Sequence, residues 1–160
     1  MWTVRAKVYI ETSIVSYLTA RKSGDIITSA HQQLTKDWWD NHRSRYDLFA
    51  SQFVMVEAQA GDPQMAKLRV EALAGIDLLA VSSDALELGR TLVKRGPLPE
   101  KAQTDAFHIA VAASNGMDYL LTWNCKHIAN AAMQNEIRRL CTAIGFATPV
   151  ICTPEELLED

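Results

Sequence analysis

Three carboxylates on dissimilar segments carry the chemistry of this chain: Glu11 in VYIETSI, Glu57 in FVMVEA and Asp105 in TDAFHIA. Taken singly, Asp105 reads as a first-turn acid that complements a helix dipole, and Glu57 as a solvated helix glutamate. Glu11 is different. It follows the apolar Val8-Tyr9-Ile10 directly, and the next Lys or Arg along the chain is Arg21. A lone carboxylate at the end of a buried strand is costly and needs a partner. Three converging carboxylates would repel one another and raise each other's pKa. A divalent cation reverses that sign, and Mg²⁺ and Mn²⁺ favour hard oxygen ligands together with water and phosphate.

The elements that must position these acids alternate between strand and helix. Val4 to Ile10, Tyr46 to Ala50, Ile76 to Val81, Tyr119 to Thr122 and Val150 to Cys152 are short and apolar, without period-two alternation. Strands covered on both faces read this way. Between them, Ser13 to Ala20 forms a helical turn or two. Asp25 caps a long helix to Arg43, with Ile27, Ala30, Leu34 and Trp38 on one face. Ser51 caps a helix carrying Phe53, Val54, Val56 and Glu57, which Gly61 closes. Asp62-Pro63 starts another helix, and Ser82 to Arg95 a further one, broken by Gly96-Pro97-Leu98-Pro99. Thr104 is expected to cap DAFHIAVAAS, and Asn130 to Ile144 to be helical. Thr153-Pro154-Glu155-Glu156 has the form of a capping box. The pattern predicts a three-layer α/β/α sandwich on a mainly parallel five-stranded sheet, one domain over residues 1–160. Ligands of such sheets sit beyond the carboxyl ends of the strands, where strand order reverses. Glu11 and Asn124 then face one crevice if the first and fourth strands are neighbours.

Four segments in order, VYIETSIVSYL, SQFVMVEA, TDAFHIAVAA and DYLLTWN, resemble the motifs of PIN domains, and in particular the VapC-type toxin ribonucleases of toxin–antitoxin pairs. The resemblance spans nearly the whole chain. It implies strand order 3-2-1-4-5 and an acidic centre at Glu11, Glu57 and Asp105, with Asn124 in the fourth place. It implies metal-dependent hydrolysis of RNA with Mg²⁺ or Mn²⁺, with Glu11, Glu57 and Asp105 as ligands. Thr12 and Thr122 would orient the acids or a metal water. Homodimerisation and an antitoxin partner are further implications. Two positions depart from the family pattern. Glu11 stands where Asp is usual, its carboxylate about 1.5 Å further from the backbone, and Asn124 replaces an acid that many members have.

Net charge is −3, so no global positive field draws this chain to a polyanion. A cation bridge or a local basic patch is required, and Arg21 and Lys126 are the best-placed candidates for phosphate contact. His108, one turn after Asp105, reads as a structural histidine that could face the site. Of Trp38 and Trp39, one packs inside and the other is a candidate for a partner surface. Cys125, Cys141 and Cys152 lack metal-ligand spacing and read as reduced thiols of a cytoplasmic protein. No window approaches the roughly 18 apolar residues of a membrane helix. A non-catalytic nucleic-acid-binding or scaffold domain of the same fold is the alternative function. A phosphatase reading finds neither a GxxxxGK[ST] loop nor an Asp-x-Asp after the first strand.

Overall fold

A computed structural model describes residues 3–158; Met1, Trp2, Glu159 and Asp160, included in the expected domain, lie outside the described residues. Five parallel strands form one sheet in the order β3-β2-β1-β4-β5, the order that was expected. They are β1 (Ala6–Ile10), β2 (Tyr46–Ala50), β3 (Asp77–Leu78), β4 (Tyr119–Leu121) and β5 (Val150–Cys152). Among the described residues seven α-helices accompany them: α1 (Thr12–Thr19), α2 (Ile26–Asp37), α3 (Gln52–Ala58), α4 (Pro63–Ala72), α5 (Ser83–Lys94), α6 (Gln103–Ser114) and α7 (Gln134–Ile144). This is a PIN-like α/β/α fold. Strand order reverses at β1, which pairs with β2 on one side and β4 on the other. The crevice beyond the β1 and β4 carboxyl ends is therefore the switch point.

Local chemistry sets most of the helix starts. Asp25, Ser51, Asp62 and Ser82 each accept a backbone N–H two or three residues on, at 2.9–3.2 Å. Pro63 occupies the first turn of α4. The strands are buried on both faces where they matter: Val8, Tyr9, Ile10, Leu120 and Leu121 are inaccessible.

Several boundaries differ from the sequence reading. The third strand contracts to Asp77–Leu78 at the sheet edge, where both residues are exposed; a short edge strand offers little to pair with another chain. Helix α6 starts at Gln103 and continues out of a 3-10 turn over Glu100–Ala102. Thr104 lies inside the helix and does not cap it. Helix α7 begins at Gln134, because Asn130 Oδ1 closes a turn by accepting the Ala132 N–H at 3.0 Å. Glu156 accepts from the Thr153 N–H and hydroxyl, both at 3.1 Å, yet only a turn follows. The long helix divides into α2, a π-turn over Trp38–His42 and a 3-10 turn over Arg43–Arg45.

The inward face of α2 also differs. Ile27 and Ala30 point outward, and Ile26 and Ile27 are 84% and 67% exposed. Thr35 and Trp38 are the buried residues. Thr35 turns inward because its hydroxyl accepts the Trp123 Nε1–H at 2.7 Å and donates to the His31 carbonyl at 2.6 Å. Trp38 is fully buried and stacks on Tyr46, ring centroids 5.8 Å apart. Trp39, half-buried, is covered by the Arg43 guanidinium 4.2 Å above its ring.

Helices α5 and α6 pack tightly against each other at Gly89. A Cβ built there would sit 2.3 Å from Phe107 Cδ1, and Phe107 is held against Phe53 in a stack with centroids 4.9 Å apart. Gly89→Ala is expected to destabilise the protein by about 1–3 kcal/mol through overpacking. The opposing gain in helix propensity is about 1 kcal/mol. Urea unfolding of the variant measures the balance; a midpoint equal to or above that of the parent would mean Phe107 moves freely.

Candidate active site

Glu11 terminates β1 and caps α1, with extended backbone at φ −78°, ψ 155°. Its own N–H continues the ladder to the Leu121 carbonyl at 3.1 Å. The carboxylate is buried and folds back over the α1 N-terminus. Oε2 accepts the Ser13 N–H at 3.0 Å. Oε1 accepts the Ser13 hydroxyl and the Thr122 hydroxyl, each at 2.5 Å. A carboxylate has about four lone-pair sites, so this arrangement engages three. The extra carbon relative to Asp lets one group satisfy its own helix N-terminus and meet β4's end as well. Ser13 completes the seam by accepting the Trp123 N–H at 2.8 Å.

Glu57, on α3, is half-exposed. Oε1 accepts the Thr12 hydroxyl at 2.7 Å and meets His108 Nε2 at 2.5 Å. Burial alone would push its carboxyl up. The hydrogen bond and charge of His108, with the Thr12 hydroxyl, outweigh burial and hold it below the usual glutamate value. His108 is itself fully buried. Its Nδ1 lies 2.6 Å from the Tyr9 hydroxyl, which lies 2.7 Å from Ser51 Oγ. Burial drives the Tyr9 ionisation far upward; the Ser51 bond opposes this, and the charges of Glu11 and Glu57 reinforce it. Tyr9 is thus a neutral link beneath the site. The thread Ser51, Tyr9, His108, Glu57, Thr12 joins β1, α3, α6 and α1 through the core.

Among the described residues, Glu11, Glu57 and His108 form the group that could hold a metal ion, with ligand atoms all within 4.8 Å of one another. Asp105 stands one turn before His108 on α6, so both lie on one helix face. Its Oδ2 meets His127 Nδ1 at 3.0 Å. Asn124 lies in the loop after β4, where its Oδ1 accepts the His127 N–H at 3.1 Å. Its carbonyl accepts from Ile128 and Ala129. Asn124 therefore shapes the loop that presents His127 to Asp105. Trp123 anchors the same loop, stacked on His31 at 4.0 Å between centroids and flanked by Tyr17.

Lys126 is exposed in this loop beside His127. Arg21, also exposed, follows the far end of α1, an eight-residue helix about 12 Å long, so it is the more distant of the two from Glu11. Thr12 carries its hydroxyl to Glu57 and is largely buried.

The expectation that only an ion reconciles the acids is revised. Each acid has its own partners: Glu11 has Ser13 and Thr122, Glu57 has His108 and Thr12, and Asp105 has His127. Sequence reasoning read His108 as a structural histidine that could face the site, and His127 in the same way. The spacing of His108 three residues after Asp105 was the available signal. The pairing of His127 with Asp105, across 22 positions, left none.

The donor set suits a divalent cation. It combines carboxylate oxygens, a free lone-pair direction on Glu11, a half-exposed Glu57 and an imidazole. The thiols take no part. Cys125 is exposed and Cys141 and Cys152 are buried, all free, and burial pushes the Cys152 thiol up to about 12.

The fold and crevice define an α/β/α architecture of the PIN type with an acidic and histidine-bearing switch point. Among solved structures, the VapC20 toxin of Mycobacterium tuberculosis, described as cleaving the sarcin–ricin loop, superposes with a TM-score of 0.56. The two are 17% identical, over 88% of this chain and 96% of that one. No family model matches the sequence, and no curated protein matches it. No described helix is long and apolar enough to cross a membrane.

Proposed function

We propose that this protein is a metal-dependent endoribonuclease, the toxin of a toxin–antitoxin pair, acting in the cytoplasm. The observation that carries this reading is the gathering of Glu11, Glu57 and His108 at the carboxyl ends of β1 and its neighbours in a PIN-like sheet. Asp105 lies one turn away on α6.

In this reading Glu11, Glu57 and Asp105 would hold Mg²⁺ or Mn²⁺. When bound, such an ion acidifies water and offsets charge developing on a phosphoryl oxygen. Glu57 is the residue suited to orient the attacking water and take its proton. Its carboxyl, held below the ordinary value, is ionised at neutral pH. His108 and Thr12 fix its orientation from two sides. Lys126 meets a substrate phosphate from the loop that Asn124 shapes, and Arg21 supports the strand farther out. Because the net charge is −3, RNA affinity depends on the cation and on these few side chains. A homodimer and an antitoxin are the proposed protein partners. The exposed Ile26 and Ile27 at the start of α2 are one apolar surface open to such a partner.

A second reading, a non-catalytic RNA-binding domain, is favoured by one observation: every acid of the site is satisfied by internal donors, and Asn124 is committed to its turn. One assay separates the readings. Purified protein is incubated with labelled single-stranded or hairpin RNA and Mn²⁺ or Mg²⁺, with EDTA as control. Internal cleavage with metal and none with EDTA is expected. RNA that shifts in a gel but stays intact would select the binding domain. Phosphate released from a mononucleotide would select a phosphatase.

A further inference from the structure

A cleft between α1 and α2 opens beside the acidic crevice and takes no part in the chemistry described above. We infer that it is a base-binding subsite, in which one unpaired nucleotide flanking the scissile phosphate rests its base against Tyr17. The inference rests on the nuclease reading and says where its substrate lies.

The first observation is position. Helix α1 begins at the acids, with Glu11 as its cap and Thr12 bonded to Glu57, and ends just before Arg21 and Lys22. Ser16, Tyr17 and Ala20 lie between. Tyr17 also abuts Trp123, whose N–H joins the seam at Ser13, so the cleft continues the rim of the site.

The second is shape. Two cavities share Tyr17, Ala20 and Gln32. One, of about 190 Å³, is completed by Ser16 and Thr28. The other, of about 230 Å³, extends to Lys22 and Lys36. Each is smaller than the roughly 300 Å³ at which pockets for drug-sized ligands begin, a scale that suits a single base. Trp123 and His31 stack on each other and both meet Tyr17 edge-on, with centroids 6.1 Å away. Neither of them lines the cavities, so Tyr17 is braced from one side and offered to the cleft from another. Among the described residues its hydroxyl has no hydrogen-bond partner. Gln32 fixes the spacing of the walls: it accepts the Ser23 N–H and donates to the Arg21 carbonyl, both at 3.0 Å. The cleft is therefore formed before anything binds.

The third is charge. Arg21, Lys22 and Lys36 are exposed at the end of the cleft away from the acids. Among the described residues Lys22 has no ion pair, and Lys36 meets Asp40 only at 3.7 Å on the open surface, a pair worth little. Asp25 stands nearby, but its carboxylate is turned onto the Thr28 N–H and hydroxyl. A braced aromatic ring between an acidic crevice and a group of cations matches the alternation of base and phosphate along a single strand, for which stacking platforms and basic grooves are the general solution. An apolar peptide in the same cleft would leave these cations unanswered.

Cleavage of labelled single-stranded RNA of mixed sequence by the parent protein with Mn²⁺ maps the cut sites. RNA carrying one abasic nucleotide is then made for each position flanking a cut. At one of these positions kcat/KM is expected to fall by about 5–150-fold, the loss of one base stacked on an aromatic side chain. Tyr17→Ala should lose a similar factor on intact RNA and nothing further on that abasic RNA. Tyr17→Phe keeps the ring and should stay within about twofold of the parent. Lys22→Gln should reduce the salt dependence of RNA affinity by about 0.7 in logarithmic slope. Parent protein that cleaves every abasic RNA as fast as intact RNA would overturn the inference, whatever the folding of the variants. Tyr17→Ala that turns a dimer into a monomer in gel filtration and still cleaves like the parent would assign the cleft to a second copy, and would overturn it too. Either result defeats this inference alone. A parent protein that neither cleaves nor shifts RNA defeats the nuclease reading with it.

Discussion

Asp105→Asn is expected to lose metal-dependent RNA cleavage by more than about 100-fold, since even the partners behind a metal ligand commonly contribute 10–100-fold. The fold should survive. Asn has nearly the shape of Asp, and its amide can still bond His127, whose Nδ1 lies 3.0 Å from the present carboxylate. Asp105 lies in the first turn of α6, without a side-chain cap at that helix start. The loss of charge there costs a few tenths to about one kcal/mol of dipole complementarity. Circular dichroism and thermal unfolding should thus change little while cleavage of labelled RNA disappears. Retained cleavage would mean that Asp105 serves only to latch the loop after β4 through His127, and that the ion is held by the other residues alone.

Glu11→Ala should be destructive in both respects. The substitution removes the α1 cap, worth about 1 kcal/mol, and strips the Ser13 N–H, Ser13 hydroxyl and Thr122 hydroxyl of their common acceptor. A buried donor left without a partner costs about 1–3 kcal/mol, although hydroxyls can rotate toward other acceptors. A total of about 2–4 kcal/mol is expected, lowering the melting temperature by roughly 5–15 °C in a chain of this size. Activity should be absent at temperatures where the variant is still folded. Glu11→Asp separates the two losses. The shorter side chain can still cap Ser13, but falls short of Thr122 by about one C–C bond, 1.5 Å. It should recover most of the stability. A melting temperature of Glu11→Ala within a degree or two of the parent would show that the seam between β1 and β4 does not depend on this carboxylate.

Most of the scaffold was legible from local chemistry. The caps at Asp25, Ser51, Asp62 and Ser82 are visible because capping needs only a short polar side chain and the next few amides. The five strands are visible because burial on both faces excludes polar residues over several positions. The edge strand was overextended, since the apolar Val81 follows in sequence while β2 ends at Ala50, whose carbonyl accepts the Leu79 N–H at 2.8 Å. The face of α2 was misjudged because Thr35, polar by composition, is drawn inward by an acceptor role toward Trp123 that lies 88 positions away.

By itself the sequence determined the acids, the elements that carry them and the sheet edge where they would meet. Capping, periodicity and strand burial act over a few residues, and the motif order carried the strand order. Only the tertiary structure decided which group answers each acid: Ser13 and Thr122 for Glu11, His108 for Glu57, His127 for Asp105. Those pairings close across 2 to 111 positions. Their geometry depends on how helices α3 and α6 settle against β1, through packing that no local pattern records.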